Sequence, residues 1–248
     1  ESVFAYLQNP RAGNRTSWMG ARIPLFLPKP LENGGKIGFG AMGGLGLWSF
    51  DLSDPANPKI LSNVNTPPSA AGTEFDNADV SQYERTGFVF TSGYPMNRDC
   101  YEPYKDIFVV NAKDPAKMKV TTTLPRPKPP EGAPYTDFCQ RGGNFGPKRS
   151  NAIGQPGGWR QNIIPYSFYN AGVQMFDVSN PADPKIAGYF VPPLADTTQL
   201  PGYTLGKGVL AMYTEYDRNI MWAFTENGAY ALSSPLLGEP VMGPAKKP

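Results

Sequence analysis

Apolar and polar residues alternate along this chain in short runs, and each run stops at Pro, Gly or an Asx residue. Residues 36–41 (KIGFGA), 87–91 (GFVFT), 162–168 (NIIPYSF) and 219–225 (NIMWAFT) have strand composition. A period near two places alternate side chains on one face, which predicts half-buried strands. Each run is followed by a segment of shared grammar: 47–59 (LWSFDLSDPANPK), 107–119 (IFVVNAKDPAKMK), 173–185 (VQMFDVSNPADPK) and a worn copy at 228–235 (GAYALSSP). An apolar strand ends at Asp51, Asn111 or Asp177, and an Asx-Pro corner follows at Asp54-Pro55, Asp114-Pro115 and Asn180-Pro181. Asx side chains cap turns, while Pro presets φ and stays out of a ladder. A further strand then begins at Lys59, Lys119 or Lys185 and stops at Pro67-Pro68, Pro125 or Pro192-Pro193. Gly43-Gly44, Asn170-Ala171-Gly172 and Asn227-Gly228 are hairpin signals between neighbouring strands.

The marker residues Pro55, Pro115, Pro181 and Pro235 lie 54–66 residues apart, a spacing that signals internal repeats. Upstream of each copy a further innermost strand is predicted, at 21–27, 76–81, 136–140 and 208–213. Four short antiparallel strands per unit make a β-propeller blade. The expectation is therefore an all-β, β-propeller-like array of about four to five four-stranded antiparallel blades. The units span approximately 21–68, 76–130, 136–193 and 208–240, within one domain over 1–248. Residues 3–7 (VFAYL) supply an outer strand of another blade or a closing strand. A β-sandwich with Pro-rich turns is the competing architecture. No segment shows a sustained 3.6-residue period, so long helices are not expected.

The pattern D-[LV]-S-[DN]-P-A-[ND]-P-K, carried here by residues 51–59 and 177–185, resembles the LVIVD repeat of bacterial surface and periplasmic β-propellers. The copy at 111–119 departs from it at Asn111 and Met118, and the last copy has Ala231 where the Asp stands. The resemblance implies a propeller and an exported protein, at the cell surface, in the periplasm or outside the cell. It carries no catalytic motif, so it implies no activity.

Composition narrows the chemistry further. The 27 Gly and 28 Pro among 248 residues are nearly twice the ordinary share of roughly 12 per cent. Fourteen Phe, 13 Tyr and 4 Trp supply ample area for a core. There is no His, which removes Ser-His-Asp and Cys-His relays, HExxH zinc sites and imidazole pH switches. A net charge of +2 gives no nucleic-acid footprint. Apolar runs such as 23–27 are too short to span a bilayer. The start at Glu1 reads as a processed or trimmed chain. In an exported protein Cys100 and Cys139 would pair, closing a loop of about 40 residues. In a cytosolic one they would stand as two buried thiols.

Four places remain for function. Glu74, Asp76 and Asp79 form an acidic stretch, and Asp76 and Asp79 are candidate Ca²⁺ ligands because Ca²⁺ takes hard oxygen donors. The same stretch also reads as a solvated turn. Asp76, Asp79, Asp137 and Glu215 lie in or beside innermost strands, and a pair of such carboxylates could serve a His-independent hydrolase or lyase. Residues 93–105 and 142–161 are the two largest insertions. Their Tyr94, Arg98, Tyr101, Tyr104, Phe145 and Trp159, with Arg141 just ahead of the second, are candidates for a binding surface, since Tyr, Trp and Arg dominate contact energetics. Pairing of Cys100 with Cys139 would join the insertions into one composite surface. Residues 125–134 (PRPKPPEGAP) suit polyproline II, as a partner ligand or as a stiff connector. The expected function is recognition of a protein or glycan partner, within a larger assembly or alone, with neither nucleic acid nor a membrane span involved.

Overall fold

The fold is that of a computed structural model, which describes residues 25–65, 73–95, 97–150, 162–194 and 207–239. Among them run fourteen antiparallel strands, and helix is confined to Tyr83–Thr86 and a few 3-10 turns. The all-β expectation therefore holds. Strands β1 (Ile37–Ala41), β2 (Leu47–Asp51) and β3 (Lys59–Val64) form a first sheet in chain order, with Phe26 bridged to Phe39 on its inner side. A second sheet is the four-stranded meander β4 (Thr73–Asp79), β5 (Phe88–Tyr94), β6 (Ile107–Asn111) and β7 (Lys119–Thr123).

The remaining strands make one curled, half-barrel sheet. Its first part is β8 (Phe145–Ser150), β9 (Ile163–Tyr169), β10 (Val173–Asp177) and β11 (Lys185–Phe190). Its second part is β12 (Val209–Glu215), β13 (Ile220–Thr225) and β14 (Gly228–Leu232). The two parts are joined by a single residue pair, Val209 with Tyr169. There the chain passes very close to itself. A Cβ on Gly208, whose φ is +87°, would lie 2.1 Å from the Tyr169 carbonyl oxygen, so this crossing requires glycine.

The Asx-Pro grammar produces one repeated turn geometry. Asp51, Asn111 and Asp177 accept from the backbone N–H two residues on, of Ser53, Lys113 and Ser179. Asp54, Asp114 and Asn180 do the same for Ala56, Ala116 and Ala182. The strand after each turn pairs back through a β-bulge at the same register, between Ser49/Phe50, Val109/Val110 and Met175/Phe176. Such a bulge increases local twist.

The core lies between sheets. One cluster joins Phe39, Ala41 and Leu47 of the first sheet to Phe75, Ala78, Val89, Val110 and Met118 of the second. Another joins Phe90, Ile107 and Val109 to Phe145, Ile164, Tyr166, Phe168 and Phe176. A third joins Ile163, Val173 and Met175 to Val209, Met221, Ala223 and Leu237. Middle sheets are thus buried on both faces, which explains continuous apolar runs such as IFVV and NIIPYSF.

One expected strand is overturned. Residues 136–140 do not extend; Phe138–Arg141 is a 3-10 turn. The Asp137 carboxylate accepts from the Cys139 N–H, and Gly142 at φ 70° ends the turn. The strand of this unit is β8, inside the stretch expected to be a long irregular insertion. Of the expected strand at 21–27, only the part from residue 25 falls among the described residues, and it contributes the Phe26 bridge. Residues 3–7 lie outside them.

Candidate functional site

The two insertions meet. Cys100 and Cys139 form a disulfide with Cα atoms 5.7 Å apart, within the ordinary span of such a bridge. The expected pairing is therefore present. Around it, the two segments exchange backbone bonds. The Asp99 N–H donates to the Gly143 carbonyl at 2.7 Å, and the Gly143 N–H donates to the Asp99 carboxylate at 2.8 Å. The Asn144 amide donates to the carbonyls of Pro95 and Asn97, each at 3.2 Å. Asp99 and Cys100 sit at φ 56° and 58°, a left-handed pair that costs energy for non-glycine residues. The disulfide and the Asp99–Gly143 exchange hold them there.

The far side of the second insertion is fixed as firmly. The Asn170 amide donates to the Phe138 and Gly142 carbonyls at 2.8 and 2.9 Å. Arg141 donates to the carbonyls of Asn170 and Pro192, the latter at 2.8 Å, and lies 5.3 Å from the Tyr135 ring centre. Arg126, from the Pro-rich segment, lies 4.9 Å from the ring centre of Tyr104 and 5.0 Å from that of Phe145. It also pairs with Asp137 at 3.3 Å. The Pro-rich segment is thereby anchored to the base of the platform, with a groove of about 540 Å³ between it and Tyr135–Phe138.

This distribution sorts the expected surface residues. Tyr101 stands out at 84 % exposure, with half-buried Arg98 and Glu102 near it in sequence. Tyr94 and Phe145 belong to the core instead, at 6 % each. Lys148 covers the Tyr94 ring at 3.6 Å, and Phe145 stacks with Phe138 and Tyr104 at 5.4 Å. Tyr104 is half-buried in that stack, and Arg141 is a structural clamp. Trp159 lies outside the described residues.

The four expected carboxylates divide among three places. Asp137 is half-exposed beside Arg126. Glu215 accepts from the Trp222 indole N–H at 2.8 Å and from Arg218 at 2.5 Å. Asp76 and Asp79, on β4, are buried. Asp76 pairs with Arg149 at 3.5 Å; its own side chain is fully buried, while that of Arg149 is 43 % exposed. Burial pushes the Asp79 carboxyl above its ordinary value, against hydrogen bonds from Ser81 and Ser150 that lower it. Burial also pushes the phenols of Tyr166 and Tyr216 far up, and the charge of Asp79 adds to both shifts. The Tyr166 hydroxyl donates to the Phe90 carbonyl at 3.5 Å, and the Asn77 amide donates to the Ser150 hydroxyl at 3.1 Å.

This is a closed polar knot tying β4, β5, β8 and β9 together. As for metals, the one cluster of three or more Cys, Asp or Glu donors among the described residues is Cys100, Asp137 and Cys139. Its sulfurs are spent in the disulfide, and a metal site of this kind needs thiolates. Asp76 and Asp79 are joined by no third carboxylate or thiol there, and Asp76 faces a cation.

Sequence reasoning missed Asn144 and Asn170, the two amides that hold the platform, and Arg149, Ser150 and Tyr166 of the knot. Their side-chain hydrogen-bond and ion-pair partners lie 28 to 76 residues away, as for Asn170 with Gly142 and Tyr166 with Phe90, so no local pattern marks them. No family model matches this chain, and no curated protein matches its sequence. Among the described residues no helix is long and apolar enough to cross a membrane.

Proposed function

We propose that this chain is an exported β-propeller of the LVIVD-repeat kind, or a part of one, that binds a protein or glycan partner through the disulfide-linked platform. The blade reading is supported by the recurrent turn, the recurrent bulge and the burial of both faces of the middle sheets. Each cluster uses one face of a sheet and the opposite face of the next, as blades around an axis do. Export is supported by the disulfide, which oxidising compartments maintain.

The observation that carries the binding reading is the platform itself. Two loops that contribute no strand, residues 97–105 and 136–144, are held by a disulfide, a two-way Asp99–Gly143 exchange and the Asn144 bracket. They display Tyr101 at 84 % exposure. A surface ordered in advance loses little entropy on binding, and an exposed Tyr with Arg beside it is the composition of contact hot spots.

The test is binding of the labelled chain to a glycan array and to an array of extracellular-protein peptides. A reproducible ligand is expected, with Tyr101→Ala weakening it by about 10- to 30-fold, the loss of one anchor residue. Leu45→Ala, at an exposed position in the β1–β2 turn of the first sheet, should leave it unchanged. Absence of any ligand, or equal loss in both variants, removes the reading.

A further inference from the structure

The groove beside the Pro-rich segment has the make-up of a small-ligand cleft. It offers about 540 Å³ between residues 126–130 on one side and Tyr135–Phe138 on the other, a volume ordinary for such clefts. Its floor is apolar and fixed. Phe138 and Phe145 line it, are 1 % and 6 % exposed, and pack ring to ring at 5.4 Å. One wall carries Pro127, Pro129 and Pro130, and the other carries half-buried Tyr135.

Polar groups edge this apolar bed. Arg126 and Asp137 pair at 3.3 Å with side chains 48 % and 47 % exposed, so the pair still shows donors and an acceptor to solvent. Both are held in place. Arg126 lies against the rings of Tyr104 and Phe145, and the other oxygen of Asp137 accepts from the Cys139 N–H at 2.8 Å. The exposed Thr136 hydroxyl accepts from the Gln140 amide at 3.3 Å, which leaves its own hydrogen to donate. Lys128 is exposed and makes no ion pair with any described residue. Arg126 and Asp137 cancel, so the lining keeps the single positive charge of Lys128.

That charge calls for a singly charged anion. Flat apolar walls with fixed donors and acceptors at the rim call for a ligand apolar on its ring face and hydroxylated at its edge. An extended peptide fits poorly. Proline has no N–H, so the wall of Pro127, Pro129 and Pro130 cannot offer the main-chain donors that hold an added strand. We propose that the groove binds a uronic-acid unit of an acidic polysaccharide. Its ring lies on Tyr135 and the prolines, its hydroxyls meet Arg126, Asp137 and Thr136, and its carboxylate meets Lys128. The proposal rests on the platform as a recognition surface and names the class of glycan that the groove at its base takes.

The experiment is calorimetric titration of the native full chain with short oligomers of galacturonate, mannuronate and glucuronate. At least one should bind with Kd below about 1 mM. Its methyl ester keeps the hydroxyls and loses the charge, and should bind about 10-fold more weakly, the equivalent of one charge-assisted hydrogen bond. Lys128→Met should weaken the free acid by the same factor and leave the ester unchanged. Lys59→Met, exposed on β3, removes the same charge from the first sheet and should change neither. Silence from all of the oligomers up to about 10 mM overturns the proposal. So does equal affinity for acid and ester, equal loss in the two Lys variants, or a sulfated galactose oligomer or an acidic peptide that binds as tightly. A Tyr101-dependent array ligand alongside silent oligouronates leaves the platform reading standing and removes this one alone.

Discussion

Asp79 is the residue whose environment departs furthest from what its sequence neighbours suggest. Acidic residues close together in a chain usually face water, yet this one is buried against Ser150, Tyr166 and Tyr216. Its folded pKa is raised, so the native state holds a proton more tightly than the unfolded chain. Stability from this group is then complete below the unfolded carboxyl value of about 3.9 and declines as pH rises toward the folded value. Asp79→Asn removes that slope. The expected result in denaturant titrations is that the variant gains on the wild type as pH rises above about 4, and a wild-type-like pH profile would show that the carboxyl is not buried as described. Arg149 makes the complementary case. Arg149→Met removes the cation paired with the fully buried Asp76 carboxylate and should cost about 1–3 kcal/mol, measured as a lower denaturation midpoint at neutral pH. Neither role was visible in the sequence, because each depends on partners from another strand.

Turns and strands were far more legible than sites. The Asx-Pro corners at Asp54-Pro55, Asp114-Pro115 and Asn180-Pro181 carry their own hydrogen-bond chemistry, so local residues sufficed to place them. Asp177→Ala removes the bond from the Ser179 N–H and should cost about 1 kcal/mol in an unfolding titration. The unit around residues 136–150 was misread for a physical reason. Thr136 to Gln140 has a strand-like look, but Asp137 caps a turn and the disulfide directs Cys139 toward Cys100. The true strand, Phe145–Ser150, contains Gly146, Pro147 and two cations, a composition that resembles a loop. Its place between β4, β9 and β12 overrides that weak propensity. The platform is an element of the same kind, specified by contacts rather than by pattern. Reduction, or Cys100→Ser with Cys139→Ser, should lower stability by about 3–4 kcal/mol through the closed loop alone. Calorimetry with and without reductant would read this directly, and an unchanged midpoint would contradict it.

At the scale of the molecule, three apolar clusters join four sheet units in series, and every internal interface follows one plan. That regularity makes the departures from it informative. The loops at 97–105 and 136–144 add no strand to any sheet, yet a disulfide and side-chain-to-backbone bonds tie them together. The proposed recognition is placed on the platform because rigidity and exposure coincide there in a chain without His. Hydrogen exchange of the native chain, with and without its array ligand, tests that assignment most directly. The account predicts new protection concentrated in residues 97–104 and 136–144, with little change in β12–β14 or around Asp79. Protection centred on any other surface, with the platform unaffected, would contradict it.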